Sequence, residues 1–392
     1  MADRMRRGRG AAARWILYVQ YTDPSAYPPL HHSARLLSDA GYRVLFLGTR
    51  RAHGAVPPSL PDSRIRVRQV PYCPPGWRQK VHYGAFVLWA LAWGVRCRPR
   101  WVYASDPLAS PIALLLRLLL GLRVVYHEHD SPGERRRASP FMRIIARARS
   151  TLAQRAELCV LPNQQRAARF TTETRCGPRV ITVWNCPLRS EVDVARAPAT
   201  RPGLVLYYHG NISPDLLPVA VLDAMAKSVR PVWLRVVGYE TPGHEGYVMR
   251  LRHEADRLEL GDRVEFLPPR PRSELLGSAE GCDVGLALVP MRSEDVNLRM
   301  LAGASNKAFE YLARGLALLV SDLPDWRRMY VDPGYAVACN PGDPESIAAA
   351  LRWFADNRET MQRMGGSGRR RIAAEWNYET QFRPVFEEIT RM

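Results

Sequence analysis

The sequence is short of acid. Against 56 Lys and Arg residues stand 38 Asp and Glu, a formal net charge of +18 in 392 residues with a pI near 10.0. An excess of that size points to an anionic partner, whether a phosphorylated ligand, an anionic lipid surface or nucleic acid, without choosing among them. Long apolar runs are missing too. The longest are Gly84 to Val95 and Ile112 to Leu122, the second interrupted by Arg117. Both fall short of the ~18 residues expected of a spanning helix, so any membrane contact is expected to be peripheral. The seven cysteines, at 73, 97, 159, 176, 186, 282 and 339, show no C-x-x-C or C-x-x-C-H spacing. That excludes a disulfide framework and a zinc site and suits reduced, mostly buried thiols of a cytoplasmic protein. There is no repeat of solenoid period and no low-complexity tract beyond the arginine-rich start, Met1 to Arg14. The apolar stretch after it, Trp15 to Val19, is too short for a signal-peptide core.

What is present is alternation. A chain this long is comfortable as two domains, each with its own core. Strand-like runs are expected at Trp15 to Gln20, Arg43 to Leu47, Trp101 to Ser105, Arg123 to Glu128, Leu158 to Leu161 and Arg179 to Trp184, with helices near His31 to Ala40, Ala85 to Val95, Leu108 to Leu120 and Pro140 to Ala156. The pattern then restarts. Strands are expected at Leu204 to His209, Val232 to Val237, Arg263 to Leu267, Val284 to Val289, Ala317 to Val320 and Tyr335 to Ala338. Helices are expected around Leu216 to Lys227, Glu245 to Leu260, Arg272 to Ala279 and Asn306 to Arg314, and three more close the chain at Pro344 to Asn357, Glu359 to Glu375 and Glu379 to Thr390. Such alternation predicts mostly parallel sheets with helices on both faces, in two α/β domains. The expected division is a basic tail over 1–14, a first domain over 15–193, an Ala-, Arg- and Pro-rich linker over 194–203, a second domain over 204–376, and a terminal helix over 377–392.

Residues 305 to 321 are the most informative stretch. Ser305 suits the N-cap of a helix that closes at Gly315 and feeds a short strand. Small residues, Ala302-Gly303-Ala304, would let a ligand approach the backbone there. Free amides and the helix dipole favour an anion, Lys307 adds a full charge, and Glu310 lies on the same helical face. The bland alternative is a surface helix whose Lys307 and Glu310 form a solvated pair worth roughly 0.2–0.5 kcal/mol.

The order N-K-x-F-E-Y-x-A-x-G-x-x-x-x-x-S-D, from Asn306 to Asp322, resembles the donor-site helix of family 4 glycosyltransferases. The resemblance implies the GT-B fold: two tandem Rossmann-like domains facing each other across a cleft, the C-terminal helix returning to the first. It implies a nucleotide-diphosphate sugar as donor, with its ribose on Glu310 and its diphosphate near Gly210, Asn211, Asn306 and Lys307. It also implies a hydroxyl of a glycan or lipid-linked molecule as acceptor, transfer with retention, and no cofactor or metal. His129, in the strand end Val124 to Asp130, matches a histidine that contacts the donor sugar, so His129 and Lys307 are the expected catalytic pair. Tyr27 and His31, in a loop stiffened by Pro28 and Pro29, are assigned to the acceptor.

Two departures stand out. The first glutamate of the family's E-x7-E pair is Ala302 here, leaving Asp295 and Asn297 as conceivable substitutes. The loop Tyr208 to Ser213 lacks the arginine and lysine that usually clamp the diphosphate, so Lys307 is expected to act largely alone. Rival readings are a metal-dependent hydrolase built on His127 and His129, since H-x-H can supply two metal ligands, and a nucleotide-sugar epimerase of the same fold. The absence of any D-x-D argues against the metal-dependent GT-A type. Aromatics and arginines cluster in Trp77 to Arg100 and again in Arg135 to Arg155, and the second stretch places Phe141, Ile144, Ile145, Ala148 and Leu152 on one helical face with Arg143 and Arg147 beside it, the layout of an interfacial helix. Family resemblance favours an anionic membrane as the basic partner. No helix-turn-helix, zinc knuckle or RRM supports nucleic acid.

Overall fold

A computed structural model describes residues 14–24, 27–50, 62–133, 139–177, 179–192, 202–241 and 243–391. The expected tail, apart from Arg14, and most of the expected linker lie outside them. The chain divides into two compact units, one of Met1–Trp184 with Phe382–Met392, the other of Asn185–Gln381.

Unit 1 runs β1 (Trp15–Val19), α1 (Pro28–Asp39), β2 (Arg43–Thr49), β3 (Ile65–Val70), α2 (Trp77–Cys97), β4 (Trp101–Ser105), α3 (Ser110–Leu120), β5 (Arg123–His127), α4 (Pro140–Arg155), β6 (Leu158–Leu161), α5 (Gln164–Thr174) and β7 (Val180–Thr182). Its sheet has the order β3-β2-β1-β4-β5-β6-β7, with every pairing parallel. Leu17, Val19, Val102, Val124 and Tyr126 point from the sheet into a core closed by Phe86, Leu116 and Leu152 of α2, α3 and α4. Each such side chain contributes about 1.5–3 kcal/mol by leaving water. On the other face Tyr18 stacks on Tyr103 with ring centroids 4.5 Å apart, and the Tyr18 hydroxyl donates to Ser33 of α1.

Unit 2 runs β8 (Leu204–Ile212), α6 (Ala220–Ala226), β9 (Val232–Glu240), α7 (Tyr247–Arg257), β10 (Val264–Leu267), α8 (Arg272–Leu275), β11 (Val284–Ala287), α9 (Val296–Arg299), α10 (Asn306–Ala313), β12 (Ala317–Ser321), α11 (Pro324–Trp326), a π-helical turn at Arg327–Val331, β13 (Ala336–Cys339), α12 (Pro344–Asp356) and α13 (Arg358–Ala374). Its sheet, β10-β9-β8-β11-β12-β13, is parallel throughout and repeats the doubly wound order of the first. The last helix, α14 (Tyr378–Thr390), belongs to unit 1 from Phe382 onward. There Tyr42 donates to the Ile389 carbonyl at 3.0 Å and Arg123 pairs with Glu388 at 2.6 Å.

The short helices α9 and α11 of unit 2 were not expected, and three expectations change in unit 1. Strand β3 was not expected, because Arg66, Arg68 and Gln69 leave only Ile65, Val67 and Val70 apolar at a half-buried sheet edge. Helix α5 was missed because its polar face, Gln164 to Thr174, carries few apolar residues, although Asn163 caps it by accepting from the Arg166 amide. Helix α2 starts eight residues before the expected Ala85, at Trp77.

Candidate active site

In doubly wound sheets ligands bind beyond the carboxyl ends of the strands, where the strand order reverses. In unit 2 that point lies between β8 and β11. The end of β8 carries His209, Gly210 and Asn211. Gly210 has φ +101°, open to glycine and strained for other residues, and the position a Cβ would take lies 3.4 Å from Cε of Lys307. Lys307 comes from the first turn of α10, a helix seated by Tyr311, whose ring fills the space that a Cβ on Gly285 of β11 would need. The Tyr311 hydroxyl accepts the His209 amide at 3.0 Å. Lys307 thus lies across Gly210, with its Nζ 5.4 Å from the Tyr208 ring centre.

Glu310, one turn on, is buried and already engaged. Its Oε2 accepts from His209 Nε2 at 2.6 Å, and its Oε1 accepts from Arg272 Nη1 at 2.5 Å. Arg272 also donates from Nε and Nη2 to the two oxygens of Glu191, at 2.7 and 2.9 Å. Burial alone would raise the Glu310 carboxyl, but the Arg272 charge and the His209 hydrogen bond outweigh it and hold the carboxyl at about 2. As a carboxylate it only accepts, so His209 carries its proton on Nε2. Burial lowers the His209 imidazole. Burial also pushes the Lys307 ammonium down to about 8. Among the described residues no carboxylate lies within ion-pair distance of Lys307.

Several expectations are refined here. Ser305 occupies the N-cap of α10 with extended backbone, but its hydroxyl makes no capping bond, so it does not consume the helix amides. Lys307 is not the single cation at this point, because Arg272 arrives from the start of α8, 38 residues away from Glu310 in sequence. Asn306 opens α10, and Asn211 turns its side-chain oxygen to the Thr241 hydroxyl at 3.1 Å. Asp295 caps α9 by accepting from the Asn297 amide at 2.8 Å, a local task.

Unit 1 has a different chemistry at the matching point. Asp106, just past β4, adopts φ 66° and ψ 166°, a conformation that costs a non-glycine residue about 1–3 kcal/mol and is typical of functional sites. Its Oδ1 accepts from the amides of His129 and Asp130 at 2.8 and 3.3 Å, and its Oδ2 accepts from Gln20 Nε2 at 3.0 Å. Burial raises its carboxyl to about 6. The ring of His129 lies 3.8 Å from that of His127 and 5.0 Å from that of Tyr27. Burial lowers His129 to about 4 and holds His127 well below the ordinary imidazole value, so both are neutral near pH 7. His127 Nδ1 is 2.8 Å from the Tyr103 hydroxyl. The His127 Nε2, both nitrogens of His129, Gln20 Oε1 and Ser105 Oγ are buried without a protein partner. His31 has its Nε2 3.1 Å from the Pro24 carbonyl. Among the described residues no group of three or more His, Cys, Asp or Glu could hold a metal, so the hydrolase reading finds no ligand set there.

Sequence reasoning singled out Gly210, Asn211, Lys307 and Glu310, which the structure gathers in unit 2, and Tyr27 and His129, which meet in unit 1. It missed Arg272, Glu191, Gln20 and Asp106, and it passed over His209. His209, Gln20 and Asp106 had one signal, a place at the end of a buried strand, whereas Arg272 and Glu191 had none.

Two doubly wound parallel sheets, with an anion-receptive lysine and helix start at one switch point, define a two-domain α/β protein of the Rossmann-like class. Residues 29–187 match the glycosyl transferase 4-like domain and residues 196–371 match glycosyl transferases group 1. The chain is a family 4-like glycosyltransferase. No curated protein sequence matches it. Among solved structures it is similar to Alr3699/HepE of Anabaena in complex with UDP and glucose, with a TM-score of 0.69 and 18% identity over 97% of this chain and 100% of that one. It is similar to sucrose-phosphate synthase of Thermosynechococcus elongatus, with a TM-score of 0.70 and 16% identity over 96% and 99%. It is also similar to WaaG, a glycosyltransferase involved in lipopolysaccharide biosynthesis, with a TM-score of 0.66 and 15% identity over 96% and 100%. At such identities the likeness speaks for the fold.

Proposed function

We propose that this glycosyltransferase takes its sugar from a nucleotide-diphosphate donor held in unit 2 and passes it, with retention, to a hydroxyl of a glycan or lipid-linked acceptor. The observation that carries this reading is Lys307 lying over Gly210 at the end of β8, one helical turn from the buried Glu310. The diphosphate meets Lys307 and the first amides of α10, including that of Asn306. Preorganised donors there stabilise the charge that grows on the leaving group. Gly210 allows the close approach, and Asn211 continues the same wall. The ribose diol is bound by Glu310, taking the place of Arg272 Nη1 while Arg272 stays fixed to Glu191. In the transfer the bond from sugar C1 to the diphosphate oxygen breaks and a bond to the acceptor oxygen forms on the same face. The acceptor proton goes to a donor phosphate oxygen, so no protein base is needed.

His129, neutral and with two unpartnered nitrogens, is assigned a contact to the donor sugar, and Tyr27 and His31 a contact to the acceptor. No metal or other cofactor takes part. We place the activity in cell-envelope or exopolysaccharide biosynthesis in the cytoplasm, with peripheral contact to an anionic membrane. No helix among the described residues is long and apolar enough to span a bilayer. Support for the donor comes from the family and from the UDP held by the Anabaena neighbour.

The test is a panel of UDP-, GDP- and ADP-sugars, scored first by thermal stabilisation of the protein and then by release of nucleoside diphosphate with and without lipid-linked or glycan acceptors. Acceptor-dependent release from one donor is expected. Donor consumption that is indifferent to acceptor would favour an epimerase, and stabilisation by none of them would contradict the reading.

A further inference from the structure

Helix α2 is apolar on two opposite faces, and only one of them is used. Tyr83, Phe86, Ala90 and Gly94 are buried against unit 1. Trp77, Val81, Gly84, Leu88, Ala92 and Val95 follow one another at steps of three or four residues, which places them in one stripe, and all are exposed. The large side chains in that stripe are open to an unusual degree: Trp77 is 71% exposed, Val81 66%, Leu88 69% and Val95 58%. Helix α3 packs beside the end of α2, with Leu116 and Leu120 against Gly94, and adds Leu118 and Leu119, exposed by 62% and 66%. Scattered apolar residues on a surface are ordinary, but a stripe about 27 Å long on one helix marks a surface that binds something.

Charge decides what. From Ser63 to Ser105 the chain has no Asp or Glu, while Arg64, Arg66, Arg68, Arg78, Lys80, Arg96, Arg98 and Arg100 fall within it. On α2 itself Arg78, Lys80 and Arg96 are exposed beside the stripe. An apolar stripe with cations along its flanks and an aromatic ring at one end fits the interface of an anionic bilayer, where rings sit at headgroup level and lysine and arginine meet lipid phosphate. Helix α4, which the sequence marks for this task, does not share the layout: Ile145 and Leu152 are buried in the core and only Ile144 of its apolar row is exposed.

We propose that the outer face of α2, extended by the end of α3, docks unit 1 on an anionic lipid bilayer. This gives a surface to the membrane contact proposed above. Whether it exists does not depend on the donor chemistry of unit 2.

The experiment is co-sedimentation of the full chain with vesicles of phosphatidylglycerol and phosphatidylcholine in equal parts, and with phosphatidylcholine alone. Wild type is expected to bind the anionic vesicles at least tenfold more tightly and to be weakened by raising salt from 0.1 to 0.5 M. The exposed pair Trp77→Glu with Leu88→Glu should lose that binding at least tenfold while keeping wild-type melting temperature and nucleoside diphosphate affinity. Ile144→Glu on α4 should bind like wild type. Equal binding by wild type and the Trp77/Leu88 variant, or none by wild type, overturns the proposal. So does a dimer of wild type in sedimentation velocity that the double variant abolishes, since the face would then belong to a second copy. Loss of nucleotide binding in every protein, with vesicle binding intact, would count against the donor reading and leave this surface standing.

Discussion

The two sheets have the same strand order for six strands, yet their switch points are furnished in opposite ways. In unit 2 the groups are charged and mostly matched: the partly buried Glu191 and Arg272 and the buried Glu310 form a chain of ion pairs, His209 closes it through Nε2 while its Nδ1 has no protein partner, and Lys307 stands beside it. In unit 1 the buried charges, Glu128 and Arg149, are paired with each other at 2.5 Å, and the groups gathered around Asp106 are neutral and largely unmatched, with His127, His129, Gln20 and Ser105 all holding polar atoms that no protein group satisfies. Topology therefore fixes where a site lies, and side chains fix what it handles. A matched ionic chain beside a lysine suits a charged ligand. A neutral polar cluster around a strained Asp106 suits hydroxyls.

The contrast can be broken most forcefully at Arg272. Replacing it with methionine leaves Glu191 and Glu310 facing each other without the cation between them, and loss of a buried partner typically costs about 3–5 kcal/mol. Denaturant unfolding of Arg272→Met should show a loss of that order. Adding Glu310→Gln should recover part of it, because the stranded charge is gone. A loss under about 1 kcal/mol would mean that the chain of ion pairs behaves as a solvent-screened surface cluster.

At His129 the effect should appear in turnover and not in nucleotide binding. His129→Ala is expected to lower kcat by about 10²–10³, the usual consequence of removing one polar contact at a reacting centre. Its affinity for a nucleoside diphosphate should stay within about twofold of wild type, equivalent to about 0.4 kcal/mol. A matching loss of nucleotide affinity would erase the division of labour between the two switch points.

The smallest effect is expected at Gly210. A Cβ there meets Lys307 at 3.4 Å on a backbone of φ +101°, so Gly210→Ala should cost about 1–2 kcal/mol in stability and weaken anion binding by displacing the lysine. The same substitution at Gly84, an exposed helical position with nothing within 4 Å of the added carbon, should be neutral or slightly stabilising. Equal effects at the two glycines would show that Gly210 has no special constraint.

Much of this architecture could be read from the chain, because buried parallel strands such as Val124 to Tyr126 and Leu316 to Val320 are written as continuous apolar runs between turn residues. Strand β3 could not, since an edge strand with arginines at alternate positions resembles a basic loop. The start of α10 was legible because cap, lysine and glutamate lie within one short stretch. Its partners were not: Arg272 reaches Glu310 only through the packing of α8, and no local pattern marks a side chain that meets its partner 38 residues away. The conformation of Asp106 was hidden for the reason that the residue before a proline is ordinarily extended, whereas here that residue has positive φ.

The central claim, that a nucleoside diphosphate docks at the start of α10, is tested most directly by calorimetric titration of UDP, GDP and ADP into wild type and Lys307→Met at pH 7 and pH 9.5. Lys307 keeps its charge below about 8 and loses it above, so the affinity it contributes is present at pH 7 and declines as pH rises through that value. At least one nucleotide should bind wild type at pH 7, at least tenfold more weakly to Lys307→Met, and the decline toward pH 9.5 should be seen in wild type alone. Binding that is equal in the two proteins at both pH values would contradict the account.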